Sequence, residues 1–273
     1  MRPRARLAIL APLCALGVLA GCARALREPP PVAVLAGSGL QGEPEDVPQL
    51  LATAEALFAR RDLPSVRRAV ATWLAAARAD AGRSDGLAGA ARGGAWLAEH
   101  EPDPRARQEA ATAAVQASQH CQRVDPRSAS CSYWLGASLG LQARERPSTG
   151  LSALPKIVEA FERAASADPK LEKAGPDRAL ALLFVRAPGW PTGPGDPDRG
   201  LEHARRSVEI EPAYPPNHLA LGEALKAVED HGASRDAYEK ALALALSGSD
   251  SGDPDAPEWV REAREALRTL SGE

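Results

Sequence analysis

Residues 196–246, DPDRGLEHARRSVEIEPAYPPNHLALGEALKAVEDHGASRDAYEKALALAL, are the starting point for interpreting this chain. Apolar residues recur here at helical spacing, and Pro212 marks a turn between the first helix and the next. Two more helices follow, with small residues at the positions where they must touch. Helix pairs of this kind bury their apolar faces by stacking on further pairs. The stretch therefore predicts a helical-repeat fold.

The small and aromatic residues of this stretch resemble the consensus of the tetratricopeptide repeat (TPR), which is about 34 residues long. The matching residues stand at the mutual spacings of that consensus: Leu221, Gly222, Tyr238 and Ala241, with Pro212 closing the preceding repeat. A second good match is built around Leu135-Gly136, with Phe161 and Ala164 in its second helix. The resemblance implies a stack of helix pairs.

Helical periodicity extends from residue 47 to the C-terminus and predicts one all-α domain over residues 46–273. We expect a right-handed α-solenoid of about five TPR-like helix pairs plus a C-terminal capping helix. An insertion around residues 142–154 and a Pro- and Gly-rich loop around Trp190 interrupt the repeat. Close packing between neighbouring helices is the role we expect for the glycines of the third helix, Gly86, Gly89, Gly93 and Gly94.

The N-terminus has the features of a secretory signal. Three arginines precede an apolar run, residues 7–20, which is too short for an ordinary transmembrane helix. The run ends in Leu19-Ala20-Gly21-Cys22, which resembles the lipobox of bacterial lipoproteins. The resemblance implies that residues 1–21 are removed and that Cys22 carries the lipid. A plain secretory signal with a chance cysteine is the alternative.

Residues 22–45 contain several prolines and glycines without lasting periodicity, and we expect them to form a flexible tether. Several acyl chains on one cysteine make a stable membrane anchor. Ala23 follows the cysteine, which in the lipoprotein family favours the outer membrane. We therefore expect a lipid-anchored protein on the periplasmic face of the outer membrane in the bacterial cell envelope.

The composition argues against several classes of function. The formal net charge is −3, and the chain has no basic block that would indicate a nucleic-acid partner. The sequence contains no G-x-S-x-G motif, no P-loop motif and no Ser-His-Asp order. We therefore expect neither an enzyme nor a cofactor, and we assign no catalytic residue.

Cys121 and Cys131 remain when the signal and the lipidated cysteine are set aside. In an oxidising compartment the ten-residue separation allows a disulfide across the turn at Pro126. Two free buried thiols are the alternative. A metal site that includes His120 lacks a fourth ligand at a zinc-like spacing, so we assign no metal.

Several short motifs resemble the T-component lipoproteins of TRAP transporters, the TatT family. The resemblance covers residues 47–247 and is strongest from 130 to 230, in Tyr133-Trp134-Leu135, Gly175-Pro176-Asp177-Arg178, Ala187-Pro188-Gly189-Trp190, Gly195-Asp196, Asn217-His218-Leu219 and Gly222-Glu223. It implies an accessory role in solute uptake beside a periplasmic solute-binding protein. The alternative is a scaffold for envelope assembly or secretion that acts through protein–protein contacts.

Six of these residues are predicted to meet at corresponding ends of successive first helices. They are Tyr133, Trp134, Arg178, Trp190, Asn217 and His218. Together they would line a groove for a protein partner, a peptide or a small apolar ligand. The alternative is that Trp134 and Trp190 fill the core and that Arg178 binds loop carbonyls.

Overall fold

The computed structural model describes residues 26–35 and 46–272. This part of the chain contains a 3-10 turn at Pro147–Thr149, no strand, and twelve α-helices: α1 Val32–Leu35, α2 Val47–Phe58, α3 Leu63–Ala79, α4 Asp85–His100, α5 Pro104–Val124, α6 Ala129–Glu145, α7 Gly150–Ala167, α8 Gly175–Arg186, α9 Pro197–Ile210, α10 Pro215–Ala227, α11 His231–Asp250 and α12 Ala256–Ser271. None of these helices is long and apolar enough to cross a membrane. The predicted signal peptide 1–21 and Cys22 lie outside the described residues.

Helices α2 to α11 form five antiparallel pairs, and each helix packs against the next one in the chain. The first helices of successive pairs, α2, α4, α6, α8 and α10, also pack against one another, whereas α12 covers α11 and part of α10. The predicted all-α solenoid of five pairs with a terminal capping helix is confirmed.

Glycines allow the helices of a pair to approach closely. A Cβ atom at Gly136 would lie 2.8 Å from the Phe161 ring, and one at Gly222 would lie 2.7 Å from the Tyr238 ring. These are the glycine–aromatic contacts that the two best repeat matches predict. The α4 glycines also pack closely, because added Cβ atoms would meet atoms of the neighbouring helices at 2.5 Å for Gly86 and Gly89, 2.6 Å for Gly93 and 3.0 Å for Gly94.

Most helix starts follow from the local sequence. The N-cap side chain accepts a hydrogen bond from the third helical N–H in five helices, at Asp62, Asp103, Ser128, Asp196 and Asp230. Ser84 and Asp255 occupy the corresponding N-cap positions of α4 and α12 but make no such bond. At Asp255 the carboxylate is instead held by the guanidinium of Arg61, whose Nε lies 3.3 and 3.4 Å from its two oxygens.

The insertion around residues 142–154 does not form a separate loop. Helix α6 continues to Glu145, the 3-10 turn follows directly, and α7 begins at Gly150. Helix α11 likewise continues to Asp250 and includes the glycine and serines that follow Leu246. The residues that exceed the regular repeat length therefore mainly lengthen helices instead of forming loops.

The predicted tether requires a correction. Residues 26–35, the middle of the range 22–45, lie against α3 and α5 instead of extending freely from the domain. Pro29 is buried and Leu26 packs against the core, because this segment is more apolar than its proline content suggests.

Candidate functional site

The first helices line the concave side of the solenoid, and the two ends of that side are bridged by side chains. Arg61, just after α2, pairs with Asp255 at the start of α12 across 194 positions of sequence. The His100 Nε2 atom at the end of α4 lies 3.8 Å from the Glu258 carboxylate in α12. Five pairs therefore curve far enough for the last helix to face the first two.

We call the concave surface between these ends the hollow. Ionisable groups on α4, α6, α8, α10 and α12 lie close enough to interact electrostatically, so these helices face a common space. The groups are Glu99, Tyr133, Arg178, Tyr214, Glu258 and Glu262. Tyr214 and Trp259 contact edge to face with ring centroids 5.3 Å apart, so the hollow also has an aromatic wall.

Two carboxylates of the hollow are electrostatically unfavourable when ionised. Desolvation raises the pKa of Glu99, and the carboxylates of Glu258 and Glu262 add to this effect against the opposing charge of Arg144. Desolvation likewise raises the pKa of Glu262, where Arg186 acts in the opposite direction. Neither Glu99 nor Glu262 forms an ion pair with another residue in 26–35 or 46–272. Positive charge supplied from outside would therefore stabilise both.

A groove of about 550 Å³ lies between α10 and α12 at one side of the hollow. Leu219, Tyr238 and Ala266 form its apolar part. Four glutamates and two basic residues line the remainder: Glu223, Glu258, Glu262, Glu265, Lys226 and Arg261. Desolvation by the surrounding protein, together with the nearby carboxylates of Glu223 and Glu262, raises the pKa of Tyr238. The groove thus combines an apolar floor with an acidic rim.

A smaller groove of about 270 Å³ lies between α2, α4 and α6 and is lined mainly by polar atoms. Arg92 is held there by the Glu55 carboxylate, with oxygens at 2.5 and 2.6 Å, and by the Phe58 ring 4.5 Å from its guanidinium carbon. Its Nε atom is buried and has no hydrogen-bond partner in the described chain. Trp134 lines the opposite side of this groove.

Tyr133 and Trp134 lie together, but their environments differ. Their rings contact edge to face at 4.9 Å, and a Cβ at Gly175 would lie 3.1 Å from the Tyr133 ring. Tyr133 is buried, and desolvation raises its pKa to about 12. Trp134 is half-buried between two parts of the core and keeps one face on the smaller groove. Trp134 is thus part core and part surface.

Arg178 and Asn217 hold the turn before α8. Residues 172–174 all have positive φ angles, of 48°, 55° and 61°, which are uncommon for residues other than glycine. Arg178 donates to the carbonyls of Lys173 and Glu172 at 3.0 and 3.3 Å, and to the Asn217 Oδ1 atom at 2.9 Å. Asn217 is fully buried. This geometry matches the alternative in which Arg178 binds loop carbonyls.

His218 is also engaged within the chain. Its side chain is buried, and Nε2 donates to the Pro212 carbonyl at 2.7 Å. Asn217 and His218 therefore stabilise the turn between α9 and α10 and do not point into the hollow as free ligand groups.

Trp190 lies apart from the other predicted site residues. It follows the C-terminal end of α8, whereas Arg178 is in the first turn, and a helix of 12 residues separates its ends by about 18 Å. Trp190 is 91% exposed, so it is not a core residue. The prediction that all six residues meet is wrong at this position, because it did not take account of the direction of the helix.

A disulfide joins Cys121 near the end of α5 to Cys131 at the start of α6, with a Cα–Cα distance of 5.3 Å. Both residues are fully buried. The bridge fixes the turn between the second and third helix pairs. In the described part of the chain, no group of three or more His, Cys, Asp or Glu side chains is arranged to bind a metal.

Sequence reasoning missed two polar features. Asp177, 1% exposed, accepts a hydrogen bond from the His203 Nδ1 atom at 2.7 Å, which joins α8 to α9. The second is the set of carboxylates in the hollow, whose residues are distant in sequence and meet only when the solenoid curves. A helical position such as Glu262, between the arginines at 261 and 264, looks like an ordinary solvated face in the sequence.

The comparisons with known proteins agree with this architecture. Over 81 residues the chain is 37% identical to a TPR repeat-containing protein of Pseudomonas aeruginosa, a match that covers 30% of this chain and 75% of that protein. No protein-family model matches.

Two solved structures are similar in fold. A thermophilic TPR protein of Thermus thermophilus matches 81% of this chain and 99% of its own length, with a TM-score of 0.60 and 16% identity. Pseudomonas aeruginosa PilF matches 83% of this chain and 92% of its own length, with a TM-score of 0.53 and 16% identity. At these identities the two structures show the fold alone.

Proposed function

This chain belongs to the TPR repeat-containing proteins, and on that premise we propose that it is a lipid-anchored binding protein of the bacterial cell envelope. Its hollow receives a segment of a protein partner that carries Lys or Arg side chains beside apolar residues. TPR-like scaffold folds are generally non-enzymatic, in keeping with a role in binding.

The unpaired carboxylates of the hollow carry this proposal. Glu99 on α4 and Glu262 on α12 are both exposed to solvent, the surrounding protein raises the pKa of each, and neither has an ion-pair partner among the described residues. A partner's ammonium or guanidinium group would supply the missing charge in an environment that screens it less than bulk water does. The apolar floor formed by Leu219 and Tyr238 would add hydrophobic contact.

The lining favours a peptide over a small apolar ligand. Such ligands bind in pockets lined mainly by apolar and aromatic side chains. The α10–α12 groove is rimmed by glutamates, and Trp134 lines a different groove whose lining is mainly polar. A polar concave surface of this kind supports recognition of a protein segment.

The physiological context is the second part of the proposal. The motifs around Arg178, Trp190 and Asn217 resemble the T-components of TRAP transporters, so a periplasmic solute-binding protein is the partner we propose. A component of an envelope assembly or secretion machine is the alternative, and the position of Trp190 beyond the end of α8 opposite to Arg178 favours it. The lipobox at Cys22 supports the anchor, and Ala23 supports the outer membrane as its location.

Site-specific photo-crosslinking in cells tests the hollow. A photoreactive amino acid is placed at Glu262, and in a matched variant at Glu239, an exposed glutamate of the second helix α11. We expect a discrete protein adduct from position 262 and none from position 239. Mass spectrometry then identifies the crosslinked protein. A solute-binding protein would support the role in solute uptake, whereas a component of an assembly or secretion machine would support the scaffold role.

Charge reversal gives an independent test. Glu262→Lys with Glu99→Lys should lower the affinity for the identified partner at least tenfold, whereas Glu239→Lys should leave it unchanged. Equal effects of the two changes, or equal adducts from positions 262 and 239, would refute binding in the hollow.

A further inference from the structure

Residues 26–35, which we call the strap, cross the outer side of the solenoid. Leu26 packs against the core cluster that contains Val115 of α5. Pro29 is buried, and Leu35 at the other end packs beside Val70 and Leu74 of α3. The strap therefore runs over α5 and α3, which are second helices of their pairs and lie opposite the hollow.

Three side chains of α5 hold the strap by polar contacts. Gln119 Nε2 donates to the Arg27 carbonyl at 3.0 Å, and His120 Nε2 donates to the Pro30 carbonyl at 2.7 Å. Arg123 donates to the Glu28 carboxylate at 2.6 Å. A chain that moved as a free tether would not keep hydrogen bonds to two of its own carbonyls.

The strap limits how far the domain can lie from residue 22. Four Cα–Cα steps separate Cys22 from Leu26, and a fully extended chain covers at most about 14 Å over that length. A lipid on Cys22 therefore enters the bilayer close to the surface of α5. The longer reach expected of a free tether over residues 22–45 is not available.

The charge of the outer helices fits a lipid surface. Helices α3 and α5 together contain six arginines and one glutamate, although the whole chain is net negative. Glu28, Glu101 and Glu145 pair with three of these arginines, and Glu109 pairs with Arg105. Arg68 is exposed and forms no ion pair within residues 26–35 and 46–272. Basic residues near a membrane surface are attracted to anionic headgroups by about 1 kcal/mol each.

We propose that the strap holds the convex face, formed here by α3 and α5, against the lipid bilayer, so that the hollow opens away from the membrane. The inference rests on the proposed lipid anchor at Cys22 and adds an orientation to it. The opening of the hollow then faces the compartment, where a partner's segment can enter without competition from lipid.

Photo-crosslinking to lipid tests the orientation. The mature lipidated protein is reconstituted in phosphatidylethanolamine–phosphatidylglycerol vesicles, with the photoreactive residue at Arg105 on α5 or at Glu262 in the hollow. Arg105 has a side chain that is 86% exposed. We expect at least fivefold more lipid adduct from position 105 than from position 262.

Release of the strap should abolish the difference in lipid-adduct yield between positions 105 and 262. Gln119→Ala with His120→Ala removes two strap bonds, and Gln108→Ala with Thr112→Ala is the matched control on the same helix. Hydrogen exchange of residues 26–35 should rise in the first variant and stay unchanged in the control, with circular dichroism confirming that both are folded. Equal lipid adducts from both positions, or a protein adduct at position 105 in cells, would overturn the orientation.

The anchor itself is measured separately. Mass spectrometry of the N-terminal peptide should show the acyl chains on Cys22. An unmodified Cys22 would refute the anchor and this orientation together. Lipidated Cys22 with equal adducts would refute the orientation alone and leave the anchor in place.

Discussion

The guanidinium of Arg178 donates to the Oδ1 atom of Asn217 across 2.9 Å, and the Asn217 amide in turn donates to the carbonyls of Lys173, Ser207 and Glu211 at 3.3, 2.9 and 3.0 Å. One buried amide thus joins the start of α8, the end of α9 and the start of α10. The left-handed turn at residues 172–174 depends on this network for its carbonyl partners.

Asn217→Ala should therefore destabilise the protein by about 2–3 kcal/mol, because it leaves buried carbonyls and the Arg178 guanidinium without partners. Denaturant unfolding followed by circular dichroism measures the loss. Gln116→Ala removes a half-buried amide that makes no hydrogen bond in the described chain and should cost under about 0.5 kcal/mol. Similar losses in both variants would contradict a special role for Asn217.

Two glycines of α6 should respond in opposite directions to the same substitution. Gly136→Ala places a Cβ 2.8 Å from the Phe161 ring and should cost about 1–3 kcal/mol. Gly140 has no atom within 4 Å of an added Cβ, so Gly140→Ala should stabilise the helix by about 0.5–1 kcal/mol. Thermal unfolding of the two variants is the test, and a shift of the same sign in both would disagree with the packing described.

Removal of the disulfide should lower stability. A closed loop of this length restricts the unfolded chain by about 3 kcal/mol in the chain-entropy description. Cys121→Ser with Cys131→Ser should therefore lower the melting temperature by roughly 6–12 °C for a domain of this size. Addition of reductant should lower it similarly in the wild type and have no effect on the double variant.

The stability of the hollow should depend on pH through Glu262. Desolvation raises the folded-state pKa of this carboxyl above its unfolded value of about 4.3, so the folded chain binds the proton more tightly. Its contribution is most favourable below the unfolded pKa and is lost as the pH rises through the raised folded pKa. Glu262→Gln should raise the melting temperature at pH 7, and the gain should shrink at pH 4.

Glu239→Gln is the control for this measurement, because Glu239 is exposed on α11 and lies outside the hollow. A gain for Glu262→Gln that is equal at pH 4 and pH 7 would show that charge is not its cause.

The repeat architecture could be predicted because its signals are local. Gly136 and Gly222 stand at fixed spacings from the aromatic residues that they contact, and acidic caps followed by proline mark several helix starts. The number of helix pairs follows from the same periodicity. These features need only the geometry of one pair and its neighbour.

The site was less predictable because it depends on accumulated curvature. Each pair adds a small rotation, and only their sum brings Glu258 in α12 beside His100 in α4. The position of Trp190 required knowledge of which end of α8 faces the hollow, which residue spacing alone does not give. The docking of the strap depends on side chains about 90 positions away in α5, such as His120.

The Arg61–Asp255 bridge also has a consequence for how the protein unfolds. In an open repeat array each terminal pair has one neighbour, so the ends fray first and unfolding spreads inward in steps. Here the side chains of the first pair contact the capping helix, so separating either end breaks contacts at both. We therefore expect the two ends to lose structure together, as one cooperative unit closed through its own termini.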